Sequence, residues 1–162
     1  MFSIFKKKEA NQTSVLFSPV SGKAVDLSEV PDQVFASKMM GEGIAFDFDG
    51  EVVAAPCDSK VMLVANTLHA VGLVMDNGAE ILIHIGLDTT ELNGEGFKAL
   101  VSPGEKVKKG QPLISFDRAF IKGKGYSLVT PMVVTNSSEF AVEVLDDLDN
   151  VEEKNTPVIK FG

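Results

Sequence analysis

The chain holds two histidines, His69 and His84, and one cysteine, Cys57. A neutral imidazole near pH 7 can act as nucleophile, proton carrier or metal ligand, and two imidazoles that meet can divide such work between them. The segment from Leu68 to Met75 alternates β-prone residues, Asp76-Asn77-Gly78 is a tight-turn signal, and Glu80 to Ile85 resumes as a strand. With Asn77 and Gly78 as a two-residue loop, His84 lies opposite Val71 and His69 opposite Gly86. Side chains alternate with period two, so His69, Val71, Leu82 and His84 share a face and the histidines are diagonal neighbours. A four-residue loop keeps that arrangement, whereas a three-residue loop puts the histidines on opposite faces. The opposite face, Ala70, Gly72, Val74, Ile81, Ile83 and Ile85, is expected to face the core. Val71, Leu73 and Leu82 then leave an apolar patch beside the histidines, fit to dock another protein. The plain alternative is one satisfied, partly buried histidine and one chance surface residue.

Composition narrows the class. With 162 residues, 44% of them apolar, the chain is long enough for one domain with a real core. A formal charge of −8 argues against nucleic acid, whose phosphates demand a basic surface, and favours a basic partner. The lone cysteine excludes an internal disulfide and fits a reducing cytoplasm; one thiol and two histidines fall short of a structural zinc set, and no cofactor is expected. No run reaches the roughly 18 apolar residues of a membrane span. The start, Met1-Phe2-Ser3-Ile4-Phe5-Lys6-Lys7-Lys8, lacks the apolar core and cleavage site of a signal peptide. Residues 1–14 read as a flexible arm, at most a weak membrane contact, ahead of a single domain over 15–162.

Strand signals dominate the remainder: short runs rich in Val, Ile and Phe recur between turns marked by fourteen glycines and seven prolines. The expected fold is all-β, an antiparallel sandwich or barrel with a few helical turns near 32–36, 96–100 and 117–122. Ser18-Pro19-Val20-Ser21-Gly22-Lys23-Ala24-Val25 is echoed by Ala55-Pro56-Cys57-Asp58-Ser59-Lys60-Val61-Met62, which suggests pseudo-duplicated β units of barrel-sandwich type. The spacing of Gly104, Val107, Gly110 and Leu113 resembles the glycine rhythm of biotinyl and lipoyl carriers, a turn-strand geometry that says little about chemistry.

The residues around His84 are more specific. Gly78-Ala79-Glu80-Ile81-Leu82-Ile83-His84-Ile85-Gly86-Leu87-Asp88-Thr89, followed by Leu92-Asn93-Gly94-Glu95-Gly96-Phe97, resembles the active-site signature of the glucose-family enzyme IIA of the bacterial phosphoenolpyruvate-dependent sugar phosphotransferase system. The likeness extends to Val30–Ala36, Gly41–Ala45, Asn66–Ala70 and Thr156–Ile159, and spans nearly everything from Phe17 to Phe161. Thr90 stands where the family usually has a small apolar residue, and Ser59 where it usually has glycine; both are expected to bear on subfamily more than on the chemistry. A start at Met1 with no preceding linker suggests a free-standing protein.

The resemblance implies a cytoplasmic phosphocarrier. In the family the second histidine of the pair accepts a phosphoryl group on Nε2, which here means His84. The first hydrogen-bonds the phosphoryl oxygens, which means His69, with Thr67 fixing its ring. Asp32 and Asp88 match acidic positions facing basic partners, and Phe35, Met39, Met40 and Leu82 match the apolar collar where those partners dock. The implied donor is the phosphocarrier protein HPr, and the implied acceptor is a cysteine on the IIB domain of a sugar permease. Two other classes were open on the residues alone: a zinc hydrolase on a duplicated β fold, and a biotin or lipoyl carrier. No His-x-His and no obvious third ligand support the first, and Lys38-Met39-Met40 lacks the flanking methionines of the second. Neither a P-loop nor a kinase glycine loop is present.

Overall fold

In a computed structural model of the chain, residues 14–145 and 149–162 are described; most of the expected N-terminal arm lies outside them. Thirteen strands occur among the described residues: β1 (Val15–Phe17), β2 (Gly22–Asp26), β3 (Glu42–Phe48), β4 (Val52–Ala54), β5 (Ser59–Val64), β6 (Ala70–Val74), β7 (Glu80–His84), β8 (Phe97–Ala99), β9 (Lys106–Val107), β10 (Pro112–Phe116), β11 (Thr130–Val134), β12 (Val142–Val144) and β13 (Pro157–Phe161). A seven-stranded sheet runs β2-β3-β11-β7-β6-β5-β9, and two three-stranded sheets run β4-β10-β8 and β1-β13-β12. Every pairing is antiparallel. The architecture is therefore a sandwich, and of the two all-β forms expected the barrel is set aside, because the large sheet ends at β2 and β9 without closing. The echoing segments lie side by side, with Phe17 N–H donating to Pro56 O and Ala54 N–H to Pro19 O. They lead into β2 and β5 near the two ends of the large sheet.

β7 sits in the middle of that sheet, between β11 and β6, and alternation divides its residues cleanly. Ile81, Ile83 and Ile85 are at most 1% exposed and join Val71, Leu73, Ile44, Phe46, Met132 and Val134 in the main core. Leu82 and His84 point the other way, onto a face that a second, smaller cluster covers in part. Leu27, Val30, Phe35, Ala45, Leu87 and Val133 form that cluster, with Met40 and Leu82 packed against it. It exists because the segment after β2 folds back over the sheet. A 3-10 turn at Leu27–Glu29, with Asp26 accepting from Ser28 N–H, leads to a helical turn at Gln33–Ala36 that drops Phe35 inward. Asp32 caps the latter turn, its carboxylate accepting from Val34 N–H at 3.0 Å.

The β6–β7 register differs from the expected one. Ala70 pairs with His84, Gly72 with Leu82 and Val74 with Glu80, so the connection is a three-residue loop, Asp76-Asn77-Gly78. Gly78, at φ 90°, closes it, its N–H donating to Met75 O, while Asn77 Oδ1 accepts from Ala79 N–H. The shift exchanges the two faces of β6: Val71 and Leu73 face the core, and Ala70 and Gly72 share the His84 face. Val71, expected as a docking residue, is 0% exposed and cannot meet a partner. The helical turns expected near 32–36 and 117–122 occur, as Gln33–Ala36 and Arg118–Gly123, but the one near 96–100 is strand β8, paired to β10.

Candidate active site

A three-residue loop should separate the histidines, yet their ring centroids lie 4.6 Å apart, edge to face. The chain ahead of β6 resolves the contradiction. Leu68 is left-handed at φ 60°, Leu68 N–H donates to Ala65 O, and Ala65 N–H to Ala70 O, so residues 65–70 form a tight turn in place of a strand start. His69 still holds its place opposite Ile85, whose N–H donates to its carbonyl at 2.7 Å. Its side chain leaves from a turn, outside the alternation, and swings to His84. Proximity of the pair was legible from the hairpin; the path to it was not.

His84 is half-buried at the end of β7. Its Nδ1 lies 2.8 Å from Gly86 O; a carbonyl only accepts, so Nδ1 carries the proton and Nε2 keeps its lone pair. Gly86 sits at φ 79° with Thr89 Cγ2 only 2.6 Å from where a Cβ would be, so a glycine is needed to present that carbonyl. Burial lowers the His84 pKa from 6.5, opposed by the Gly86 carbonyl and the charges of Asp32 and Asp88. The ring is therefore a neutral imidazole with one free nitrogen. Phe35 packs edge-on against it, centroids 5.0 Å apart.

His69 is 7% exposed and held at both nitrogens by hydroxyls, Nδ1 at 2.7 Å from Thr67 Oγ1 and Nε2 at 3.0 Å from Thr90 Oγ1. Burial above all, and the neighbouring His84 after it, push its pKa down to about 4. Thr90 was expected to stand apart from the chemistry; instead its hydroxyl contacts a site histidine. Its only signal in the sequence was a second hydroxyl next to Thr89 in the segment after His84. The Gly86 carbonyl was also missed, since backbone acceptors leave no mark on residue type.

The proposed docking residues divide. Met39 is 77% exposed, Asp88 is exposed, and Asp32, Met40 and Leu82 are half-buried around the histidine face. Phe35, expected as part of an exposed collar, is 4% exposed: its ring seals the second cluster and braces His84. Cys57 is buried, and burial pushes its thiol up to about 12, leaving no thiolate for chemistry. Among the described residues no group of three or more His, Cys, Asp or Glu could hold a metal ion, and no helix is long and apolar enough to cross a membrane.

Residues 14–140 match the family model described as phosphoenolpyruvate-dependent sugar phosphotransferase system, EIIA 1. The fold superimposes on glucose permease IIA from Mycoplasma capricolum with a TM-score of 0.82 and 33% identity, covering 90% of this chain and 94% of that one. Csd3 of Helicobacter pylori aligns at 13% identity and a TM-score of 0.47, over 74% of this chain and 30% of its own, too weak a likeness to carry an argument. A sandwich that brings His69, in the turn before β6, against His84, at the end of β7, and that matches a known IIA along most of its length, sets aside the biotinyl-carrier and hydrolase alternatives. The chain belongs to the EIIA 1 family and is a phosphocarrier domain of the phosphoenolpyruvate-dependent sugar phosphotransferase system.

Proposed function

We propose that His84 Nε2 is the atom that carries the phosphoryl group, taken from HPr and passed to a cysteine of a permease IIB domain in the cytoplasm. The observation that carries this reading is the Nδ1 bond to Gly86 O, which leaves Nε2 as the nucleophile. In the forward step the Nε2 lone pair attacks phosphorus, the donor's N–P bond breaks, and its electron pair returns to the donor imidazole. The His84 ring retains its Nδ1 proton and gains positive character, so the bond to Gly86 O becomes charge-assisted and favours the phosphorylated ring. Passage to the IIB cysteine reverses the sequence: the thiolate attacks phosphorus and the N–P electrons return to Nε2. Such transfers need positioning and shielding of the equatorial oxygens more than covalent help. His69, neutral and oriented by Thr67, is placed to donate its Nε2–H to one of those oxygens.

Docking follows the same surface for donor and acceptor. Met39 and Met40, with Leu82, supply adaptable apolar contact, and Asp32 and Asp88 an acidic rim for basic partners. The single domain over residues 15–162 is the unit that carries the phosphoryl group. Incubation with phosphoenolpyruvate, enzyme I and HPr tests it by intact mass. The parent gains one phosphoryl group, labile to acid and stable to base; His84→Gln gains none; and His69→Gln gains it but passes it on at least about a hundredfold more slowly, as expected for loss of a transition-state donor. A phosphoryl group retained by His84→Gln overturns the assignment.

A further inference from the structure

Thr90 is the second hydroxyl on His69, and it is held in place. It lies in a 3-10 turn, Thr89–Leu92, entered through left-handed Asp88 and left through left-handed Asn93. Thr89 Oγ1 donates to Ile85 O, and the turn is closed by Glu91 N–H donating to Asp88 O and Asn93 N–H donating to Thr90 O. The backbone that carries Thr90 is thus held on both sides of it, and its hydroxyl meets His69 Nε2 at 3.0 Å.

A neutral imidazole has one N–H and one lone pair. Phosphoryl oxygens accept only, so the His69 nitrogen that serves them carries the proton, and Nδ1 takes the hydroxyl hydrogen of Thr67. It follows that Nε2–H points at Thr90 Oγ1 while His84 is bare. In a ring 7% exposed, that N–H left without an acceptor would be costly.

Resting on the reading that His84 is the phosphoryl acceptor, we infer that Thr90 is a positioning residue, a placeholder acceptor that holds the His69 Nε2–H until a phosphoryl oxygen on His84 replaces it. The hydroxyl lowers the free energy of the unphosphorylated protein and contributes nothing to this N–H in the phosphorylated one. Thr90 therefore raises the tendency of the domain to give its phosphoryl group away.

The test is the equilibrium between phospho-HPr and this protein, read by intact mass at equal concentrations for the parent, Thr90→Val and Thr90→Ser. Valine keeps the shape and removes the acceptor. The phosphorylated fraction of Thr90→Val should rise, with the exchange constant shifted at least about fivefold toward this protein, the factor expected when one buried donor loses its partner. Thr90→Ser, which keeps the hydroxyl, should return the constant to the parent value. An unchanged constant in Thr90→Val overturns the inference and reduces the contact to a structural one, since a purely structural loss burdens both forms equally. A shift toward the unphosphorylated form also overturns it, because the hydroxyl would then be donating to the phosphoryl group. If the parent itself gains no phosphoryl mass, the failure lies in the His84 assignment and not in Thr90.

Discussion

Acidification should expose the burial of His69. The ordinary histidine pKa is 6.5 and the folded His69 sits near 4 because burial and His84 both oppose its charge. Between those values the unfolded imidazole takes up a proton that the folded one refuses, so stability present above pH 6.5 is lost as pH falls toward 4. Applied to these two values, linkage gives a loss of about 2 kcal/mol from this residue by pH 5, against a few tenths at pH 7. Carboxylates titrate toward the lower end of the same window, and His84 adds a loss of the same sign, so the difference between proteins is the informative quantity. Urea unfolding of the parent and of His69→Gln, followed at pH 7.0, 6.0 and 5.0 in buffers of constant ionic strength, should show the parent losing about 2 kcal/mol more than the variant. Parallel stability curves would refute the reasoning, since they require a His69 that charges as readily in the folded protein as in water.

Two further substitutions separate burial from docking. Phe35→Lys places an unpaired charge in the second cluster and should cost about 3–5 kcal/mol, seen as a collapse of the thermal midpoint, whereas Met39→Lys, at a side chain 77% exposed, should leave the midpoint within a few degrees and raise KM for phospho-HPr. Comparable melting of the two variants would contradict the burial assigned to Phe35. Gly86→Ala forces a Cβ to within 2.7 Å of the Ser127 carbonyl oxygen at a backbone φ of 79°; it should lower stability by about 1–3 kcal/mol and slow phosphorylation by displacing the carbonyl that orients His84. An alanine variant with parental stability and rate would remove Gly86 from the site.

The sequence carried the hairpin and the pairing of its histidines, because Asp76-Asn77-Gly78 between two β-prone runs has few other outcomes. It did not carry the register. Both faces of β6 and β7 are apolar, one covered by the main core and the other by the segment around Leu27–Phe35, so the usual contrast between a wet and a dry face was missing. The same second cluster explains Phe35: a helical turn capped by Asp32 was legible, but which of its side chains turns inward depends on a sheet face far away in sequence. The period of β8 does not show in the sequence, because Phe97–Ala99 is too short, and the segment resembles a helical turn. Thr90 was invisible for another reason, since a hydroxyl becomes a hydrogen-bond partner only when two turns bring it to a ring.

Both histidines, both hydroxyls and the Gly86 carbonyl fall within residues 67–90, in one hairpin and the turn that follows it. Closing so short a loop costs little chain entropy, and such contacts can form before the distant ones. Phe35, which covers the histidine face, and Val133, which lies beside Leu82 on it, come from opposite halves of the chain. During folding, then, the hydrogen bonds of the two histidines can assemble locally while their apolar covering waits for the distant segments to pack. Substitutions in 67–90 that weaken the hairpin should slow folding, and substitutions in the covering segment should chiefly speed unfolding.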